Sequence, residues 1–379
     1  MSRHRRASAL AATGRHAGRA APVVIEARQE ARRYPVEIGA VLPQRLVELA
    51  ARRDRVALVT CARVRATPLG RETEAALRRG ARLATLVILP DGEKGKTLAA
   101  LERAAVKLLR AGLTRQSLVV GLGGGAVTDA AGFLAAVFMR GVDWVAVPTT
   151  LLAMVDAAIG GKTAVNLPDA KNALGAFHPP VAVLSDPRML ATLPARERAS
   201  GLGEVMKYGF LRPALLDRMA AQARRAPADA GLVADCARVK VEVVERDPTE
   251  QGERKLLNLG HTFGHGVEAA GGFSRWKHGE AMAIGTAFAF RLARRLGRVG
   301  DAEVDRAEAA LAAAGLPVRV SVAVARRAVT LMGHDKKRTA SGLRWVLPVH
   351  QGSAWVVEWD VPAADAAVDD TVRELGRTR

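Results

Sequence analysis

Cysteine is nearly absent from this chain of 379 residues, which contains only Cys61 and Cys236. The two lie far apart and neither has a CxxC neighbour. The sequence therefore argues against a disulfide framework and against a zinc site built from thiolates. Any metal ion in this protein must instead be held by histidine and carboxylate side chains.

Long hydrophobic runs are also missing, although 49% of the residues are hydrophobic. Charged residues or glycine interrupt every stretch before it reaches the roughly 18 residues that a transmembrane helix needs. Residues 1–24 are basic and alanine-rich, but they lack the continuous apolar segment and cleavage site of a secretory signal. We expect a cytoplasmic protein with no membrane partner and a disordered basic leader over residues 1–24.

Aromatic residues make up only 4% of the chain, and this scarcity weighs against nucleic-acid binding. The formal net charge of +19 would attract polyanions in general. The basic residues are spread along the whole chain, however, and no compact nucleic-acid module accompanies them. We interpret them as a solvated surface and expect no nucleic-acid partner. A non-catalytic polyanion-binding protein is the alternative from a different functional class.

The order of predicted elements indicates two domains. From Pro35 to about Pro187, short β-branched runs alternate with helical segments, as a parallel α/β sheet requires. After Pro187 and Pro194 the pattern becomes mostly helical, with strand-like sequence near Leu343 to Val357. We expect an NAD-type α/β domain with a doubly wound sheet over residues 25–187 and a mostly α-helical domain over 188–379. The predicted strands are Val56–Thr60, Ala84–Leu89, Ser117–Leu122, Trp144–Val147 and Val181–Leu184.

A glycine-rich turn, Gly121-Leu122-Gly123-Gly124-Gly125-Ala126, follows the third predicted strand and opens an alanine-rich segment. Such glycines let the backbone approach a pyrophosphate, whose charge the helix N-terminus favours. The acidic residue expected about 20 positions later at a strand end is missing, because Asp143 precedes its strand. The turn alone therefore fits a dinucleotide site and an unliganded turn about equally well.

A second motif resembles the lining of an anion site. Pro148-Thr149-Thr150 leads to Asp156, then to Gly160-Gly161-Lys162-Thr163 and Lys171-Asn172. Hydroxyls, glycine amides and two lysines after a strand suit a phosphorylated ligand. A solvated turn is the alternative interpretation.

The most informative cluster combines carboxylates, histidines and cations. On a helix, Glu204 would share a face with Lys207, and His261 with His265. Two histidines and one glutamate form a three-ligand set that suits zinc and leaves a position for water or substrate. From spacing alone, either His265 or His278 could be the third ligand. The cluster is Glu204, Lys207, Glu250, Arg254, Asn258, His261, His265 and His278 with Glu280.

The order of these motifs resembles that of the 3-dehydroquinate synthase family, a branch of the sugar-phosphate cyclases. The similar motifs run in order over residues 35–360, which is more than chance would arrange. They are PDGEKGKT, GGGAVTDAAGF, MRGV, VPTTLLAMVDAAIGGKT, KNALGAFHPP, TLP, GLGEVMKYG, NLGHTFGHGVE, WKHGEAMAIG and HDKK. The resemblance implies an N-terminal NAD-binding domain, a helical metal-binding domain and a homodimer.

Carried over position by position, the resemblance implies three groups of site residues. It makes Glu204, His261 and His278 the metal ligands and leaves His265 for substrate phosphate and proton transfer. The residues near NAD are Glu93, Lys96, Gly124, Gly125, Asp129, Thr149, Thr150 and Lys171. Those around the substrate are Asp156, Lys162, Asn172, Lys207, Lys240, Arg254, Asn258 and Lys336, with Arg140 reaching the phosphate in the partner subunit.

The family's chemistry implies a phosphorylated seven-carbon keto sugar acid as substrate. Hydride passes to NAD, phosphate leaves, and the hydride then returns, so NAD is not consumed. Zn²⁺ or Co²⁺ polarises the substrate hydroxyls, and ring opening with intramolecular aldol closure yields 3-dehydroquinate.

Some positions depart from the family pattern. Cys61 replaces the usual Asp or Asn at a strand end associated with the adenosine ribose, which predicts altered NAD affinity. Ala157 and Ala158 replace a common serine pair, which keeps a sister cyclase such as an aminodehydroquinate synthase as an alternative. A polyol dehydrogenase of similar layout is a further alternative, and it would accumulate NADH.

Overall fold

A computed structural model of the chain describes residues 21–29, 32–168, 170–223, 229–332, 338–339 and 342–375. Residues 1–20, which contain most of the predicted leader, lie outside this range, as does Lys336. Val23 and Val24, also assigned to the leader, lie in the first strand. Among the described helices, none combines the length and the apolar character that crossing a membrane requires.

The N-terminal half is built on a seven-stranded sheet with the order β1-β2-β9-β6-β5-β3-β4. All neighbouring strands are parallel except β1 and β2, which pair antiparallel. The sheet strands are β1 (Val23–Gln29), β2 (Arg32–Ile38), β3 (Val56–Cys61), β4 (Leu83–Leu89), β5 (Leu118–Gly123), β6 (Asp143–Pro148) and β9 (Ala182–Ser185). The five predicted strands are present, with ends shifted by about one residue.

The strand order explains where the helices of this half lie. They are α1 (Gln44–Ala51), α2 (Ala62–Arg65), α3 (Pro68–Gly80), α4 (Leu98–Arg110) and α5 (Gly125–Val137). The chain moves outward from β3 to β4 and then returns past β3 to β5. Because crossovers are right-handed, this reversal puts α3 on one face and α4 with α5 on the other. The sheet is doubly wound, as predicted, and ligands of such sheets bind where neighbouring strands diverge, here between β3 and β5.

Two further β features were not predicted from the sequence. A hairpin of β7 (Lys162–Leu167) and β8 (Ala170–Phe177) stands outside the main sheet, where a loop was expected. Strand β8 is exposed along most of its length, so it carries no alternation of apolar and polar residues. The β1–β2 pair was also missed, because charged residues interrupt the apolar pattern of both strands.

The C-terminal half is mostly helical, as predicted. Its helices are α6 (Ala195–Leu211), α7 (Leu216–Ala223), α8 (Ala230–Arg246), α9 (His261–Ala270), α10 (His278–Arg295), α11 (Asp301–Ala313), α12 (Val322–Met332) and α13 (Asp365–Leu375). A small sheet contains β10 (Arg338–Thr339), β11 (Gly342–Gln351) and β12 (Ala354–Ala363). The last two strands form the hairpin expected near Leu343 to Val357.

Helix α10 is the centre of this half and is buried along nearly its whole length. Its Phe288 stacks on Phe263 of α9 with ring centroids 4.0 Å apart and on Trp345 of β11 at 5.5 Å. These three fully buried or nearly buried rings remove a large apolar area from water. The packing fixes α9 against α10, whose first residues enter the site described next.

Candidate active site

Three predicted metal ligands meet where α6, α9 and α10 converge. Glu204 lies in the middle of α6, whereas His261 and His278 are the first residues of α9 and α10. Oε1 of Glu204 is 3.3 Å from Nε2 of His278 and 3.7 Å from Nε2 of His261. One donor atom from each residue lies within 4.8 Å of the other two.

Two glycines allow α6 and α10 to approach closely enough to bring Glu204 and His278 together. A Cβ atom added at Gly203 would lie 2.3 Å from the carbonyl oxygen of Gly279. One added at Gly279 would lie 1.8 Å from the carbonyl oxygen of Ser200. Both distances are too short for any side chain, so the helix backbones touch directly beside the predicted ligands.

Glu204 is fully buried, and its carboxylate forms an ion pair with the Lys207 ammonium. Burial alone would raise the pKa of this carboxyl, but the adjacent Lys207 ammonium and the two imidazoles outweigh burial and hold the pKa at about 2. The carboxylate therefore stays ionised, and its Oε1 faces the two histidines. Together with two imidazole nitrogens, it fits a divalent ion such as zinc.

The pKa values of the two histidines are shifted in opposite directions. Burial keeps the pKa of His261 well below its ordinary value. Burial also disfavours the charged form of His278, but the carboxylates of Glu204 and Glu268 outweigh it and raise the pKa to about 9. Both imidazoles must be neutral to bind a metal ion, so metal affinity should weaken as the pH falls.

Next to the three predicted metal ligands, Asp156 contacts three polar side chains of the helical domain. Its Oδ1 accepts hydrogen bonds from Tyr208 Oη at 2.5 Å and from Lys240 Nζ at 2.7 Å, and Lys207 Nζ lies at 3.5 Å. Burial opposes ionisation, yet the charges of Lys207 and Lys240 hold the pKa of Asp156 well below its usual range. Burial lowers the pKa of Lys240 to about 8. Asp156 thus orders the lysines predicted to surround the substrate.

Arg254 is buried at the back of this cluster and is 1% exposed. Its Nη2 donates to the carbonyl oxygen of Gly160 at 2.9 Å, and its Nη1 donates to that of Pro248 at 2.5 Å. Gly160 N in turn donates to Tyr34 Oη at 3.0 Å. Since Arg254 Nε is buried without a partner among the described residues, part of the guanidinium is available to an anion.

Glu250, a member of the carboxylate and histidine cluster in the sequence, contacts two of the predicted substrate residues. Its Oε1 accepts a hydrogen bond from Asn258 Nδ2 at 2.7 Å, and its Oε2 forms an ion pair with Lys162. Burial and the positive charges of Arg254 and Lys240 lower the pKa of Lys162 to about 7. A phosphate group would compete with Glu250 for this lysine.

The glycine turn lies at the divergence of β3 and β5. Gly123 ends β5 and Gly125 begins α5, so the turn leads into a helix N-terminus as predicted. Lys96 Nζ donates to Asp129 Oδ2 at 2.5 Å and also to Asn172 Oδ1. Free backbone amides at this N-terminus can hold a pyrophosphate.

The remaining residues predicted near NAD line the same edge. Gly124 caps α5 in extended conformation and lies against the Thr150 side chain. Thr149 Oγ1 is buried with no partner among the described residues, so its hydroxyl is available to form a hydrogen bond with a ligand. Glu93 accepts a hydrogen bond from Asn166 Nδ2 at 2.6 Å.

Two family models match consecutive segments of the sequence. The model for the 3-dehydroquinate synthase N-terminal domain matches residues 86–200, and that for the C-terminal domain matches residues 201–338. The chain belongs to the 3-dehydroquinate synthase family. The two family models meet inside α6, whereas the sequence pattern put the domain boundary at residue 187.

Known proteins are similar to this chain over nearly its whole length. The 3-dehydroquinate synthase of Nitrobacter winogradskyi is 42% identical over 90% of this chain and 93% of its own length. That of Halorhodospira halophila is 45% identical over 88% and 95%. A solved 2-epi-5-epi-valiolone synthase, ValA from Streptomyces hygroscopicus subsp. jinggangensis, with bound NAD⁺ and Zn²⁺, is 27% identical with a TM-score of 0.76, covering 93% of this chain and 98% of its own.

Three residues that the family resemblance assigned to the site take no part in the contacts described so far. Lys171, predicted near NAD, has its Nζ 3.9 Å from Glu268 Oε1 and 4.2 Å from the centre of the Phe273 ring. Arg140 is exposed, in left-handed conformation at φ 65°. Lys336 lies outside the described residues.

Cys61, where the 3-dehydroquinate synthase pattern has Asp or Asn, ends β3 beside the divergence of β3 and β5. Its thiol is buried, and burial together with neighbouring Asp91 raises the pKa to about 11. A neutral thiol cannot accept two ribose hydroxyl hydrogen bonds as a carboxylate can. A change in NAD affinity therefore stays a prediction.

Sequence reasoning missed three residues that contact the predicted site residues. Glu268 is one turn after His265 on α9 and reaches His278, so helical spacing could have identified it. Tyr208 follows Lys207 directly and binds Asp156. Asn166 accepts the backbone N–H of Asn172 at 2.9 Å, a contact inside a hairpin that the sequence did not predict.

Proposed function

We propose that this chain is a 3-dehydroquinate synthase, which converts 3-deoxy-D-arabino-heptulosonate 7-phosphate into 3-dehydroquinate and phosphate. The observation that carries the proposal is the position of the Glu204, His261 and His278 donor set directly beside the Asp156 lysine cluster. A metal-type donor set next to buried cations suits a substrate with both hydroxyls and anionic groups. The names of the relatives that span nearly the whole chain support the same reaction.

The bound cofactors in this proposal are NAD and a divalent ion, zinc or cobalt. When bound, they supply a reversible hydride acceptor and an electrophile for the substrate hydroxyls. NAD would lie on the glycine turn with Gly124, Gly125, Thr149 and Thr150, with Asp129, Lys96, Glu93 and Lys171 as its further predicted neighbours. Glu204, His261 and His278 would hold the ion.

The side chains of this chain would bind and orient the two anionic ends of the substrate. Lys162, Asn172, Lys207 and His265 are proposed to hold the phosphate, and Lys240, Arg254 and Lys336 the carboxylate. Asp156 and Asn258 would order these groups through the hydrogen bonds described above. Positioned cations stabilise the charge that develops as phosphate departs, and the substrate's own phosphate can take the neighbouring proton.

Product analysis tests this function directly. Purified protein with the heptulosonate phosphate, NAD and Zn²⁺ should release phosphate and form 3-dehydroquinate without net NADH. Turnover of an amino analogue in place of this substrate would instead identify the sister aminodehydroquinate synthase, which the Ala157-Ala158 pair keeps as the second candidate. Net NADH formation would indicate a polyol dehydrogenase.

The pKa of Lys162 predicts a pH-dependent anion affinity. Because this pKa is lowered to about 7, the ammonium is present below pH 7 and is lost as the pH rises through it. Sulfate keeps its charge over this range, so its inhibition constant should rise roughly tenfold from about pH 6 to 8 if it binds only the cation. Lys162→Arg, which stays charged, should flatten that rise in steady-state inhibition assays. An unchanged slope in Lys162→Arg would contradict the assignment.

We also propose a homodimer in which Arg140 serves the partner's site. Arg140 is exposed and is flanked by the exposed apolar side chains of Val137 and Met139, which are 49% and 37% exposed. Apolar groups around a cation are typical of an interface centre.

Mixing two inactive variants tests this arrangement. If Arg140 acts in trans, Arg140→Ala and Glu204→Ala proteins should regain up to about a quarter of wild-type activity when refolded together, since one site of the mixed dimer is intact. Each variant refolded alone is the control. A mixture as inactive as its components would rule out a contribution in trans.

A further inference from the structure

We infer that Glu268 is a positioning residue for His278: it accepts a hydrogen bond from Nδ1–H and so directs the Nε2 lone pair of this histidine at the metal ion. The inference rests on the proposed metal-dependent function. Glu268 belongs to none of the residue groups that the family resemblance implies.

The two nitrogens of the His278 ring face two different carboxylates. Nε2 is 3.3 Å from Glu204 Oε1, on the side of the His261 donor, whereas Nδ1 is 3.4 Å from Glu268 Oε2. A neutral imidazole carries one proton, so it can donate at one nitrogen and bind an ion only at the other. Glu268, which can only accept, selects the tautomer with the proton on Nδ1 and the lone pair towards Glu204.

Glu268 is itself held in place on a rigid element. It lies within α9, is 8% exposed, and its second oxygen is 3.9 Å from Lys171 Nζ on β8. The nearby cation balances the carboxylate charge. A buried, oriented acceptor behind a metal-binding histidine fixes the orientation of the ring and raises the basicity of its ligand nitrogen.

The other histidine shows which property of the acceptor matters. Nδ1 of His261 lies 3.2 Å from the backbone carbonyl oxygen of Leu259, which carries no charge. A neutral acceptor therefore suffices to orient one ligand of this site. It follows that glutamine, whose carbonyl oxygen can accept the same hydrogen bond, should replace Glu268 with little loss.

Zinc affinity of the full-length protein tests the inference without relying on turnover. In competition with a chromophoric chelator, Glu268→Ala should bind zinc about 10–100-fold more weakly than wild type. Glu268→Gln should stay within about threefold. The matched control is Glu303→Ala, which breaks a Glu–His contact of 2.5 Å to His350 on the distant α11 surface and should leave zinc affinity unchanged.

Cobalt spectra supply a second measurement. In the Co²⁺-substituted protein, Glu268→Ala should shift the visible ligand-field bands because the His278 ring is no longer fixed, whereas Glu268→Gln and Glu303→Ala should not. Wild-type affinity in Glu268→Ala overturns the inference, as does equal weakening in both Glu268 variants.

The number of bound zinc ions distinguishes a second metal site from the positioning role of Glu268, and a Glu204 variant tests the proposed metal site itself. His265, Glu268 and His278 also offer donor atoms within 4.8 Å of one another. A wild-type content of two zinc ions that falls to one in Glu268→Ala would identify a second metal site and overturn the positioning role. If instead Glu204→Ala binds zinc as wild type does, the proposed metal site itself fails, whatever Glu268 does.

Discussion

Glu204→Ala should lose tightly bound zinc and should turn over more than a hundredfold more slowly than wild type. The expected loss exceeds the roughly 10–100-fold effect of removing a residue that only supports a ligand, since a direct donor and its negative charge disappear together. Glu204 provides the only carboxylate of the three-residue donor set. Metal content after dialysis and chelator competition measure the effect, and product formation measures the turnover.

His265→Ala is the matched comparison for that prediction. The His265 ring centre lies 5.4 Å from that of His261 and 6.2 Å from that of His278, and the residue is exposed at the edge of the site. We expect this variant to keep its zinc but to turn over poorly, because it removes a group proposed to bind phosphate and move a proton. Equal metal loss in the two variants would reverse the two assignments.

Asp156→Ala should reduce the free energy of unfolding by about 3–5 kcal/mol, because it leaves buried cations without their shared counter-charge. Lys207 and Lys240 are 4% and 6% exposed, and both lie against the same Asp156 oxygen. Tyr208 loses its acceptor in the same substitution. Urea denaturation measures the change, and activity should fall with it because the lysines lose their orientation.

The loss in Asp156→Ala should depend on pH in a defined direction. The pKa of Lys240 is already lowered to about 8, and removing Asp156 lowers it further. A lysine with a lower pKa in the folded state makes stability rise with pH, since the unfolded chain then binds more protons. The gap between variant and wild type should therefore be smaller near pH 9 than near pH 7. A gap that widens with pH would contradict this account.

Two controls distinguish the buried cluster from a general effect of charge removal. Asp156→Asn keeps an acceptor for Tyr208 but not the charge, so its loss should lie between those of wild type and Asp156→Ala. Asp217→Ala removes an aspartate that is 80% exposed and pairs with Arg306 on the surface. Exposed ion pairs contribute about 0–1 kcal/mol, so this variant should be nearly neutral.

Features that depend on near neighbours in the chain were predictable from the sequence. The i,i+3 pair of Glu204 and Lys207 does share one face of α6 and forms an ion pair. The glycine turn after Leu122 does join β5 to α5. Helical periodicity and turn chemistry act over a few residues, and therefore leave a direct record in the sequence.

The hairpin β7–β8 shows where prediction from local sequence patterns fails. Lys162, Asn166 and Asn172 contact polar residues of other segments, so the hairpin lacks the alternation of a half-buried strand. Its polar residues instead resembled a solvated loop. A strand whose polar side chains serve a functional site lacks the hydrophobic alternation from which strands are predicted.

The sequence by itself determined the family, the two kinds of domain and the candidate donors, because ordered motifs and local periodicity need no coordinates. Spacing alone left His265 and His278 open, and only the tertiary structure shows how His278 reaches Glu204. His265 is nearer to His261 in the chain than His278 is, yet the contact of Gly203 with Gly279 brings His278 to Glu204. The supporting contact from Glu268 to His278 arises in the same way, from the packing of α9 against α10. Such contacts depend on the crossing of helices from distant parts of the chain, which no local pattern encodes.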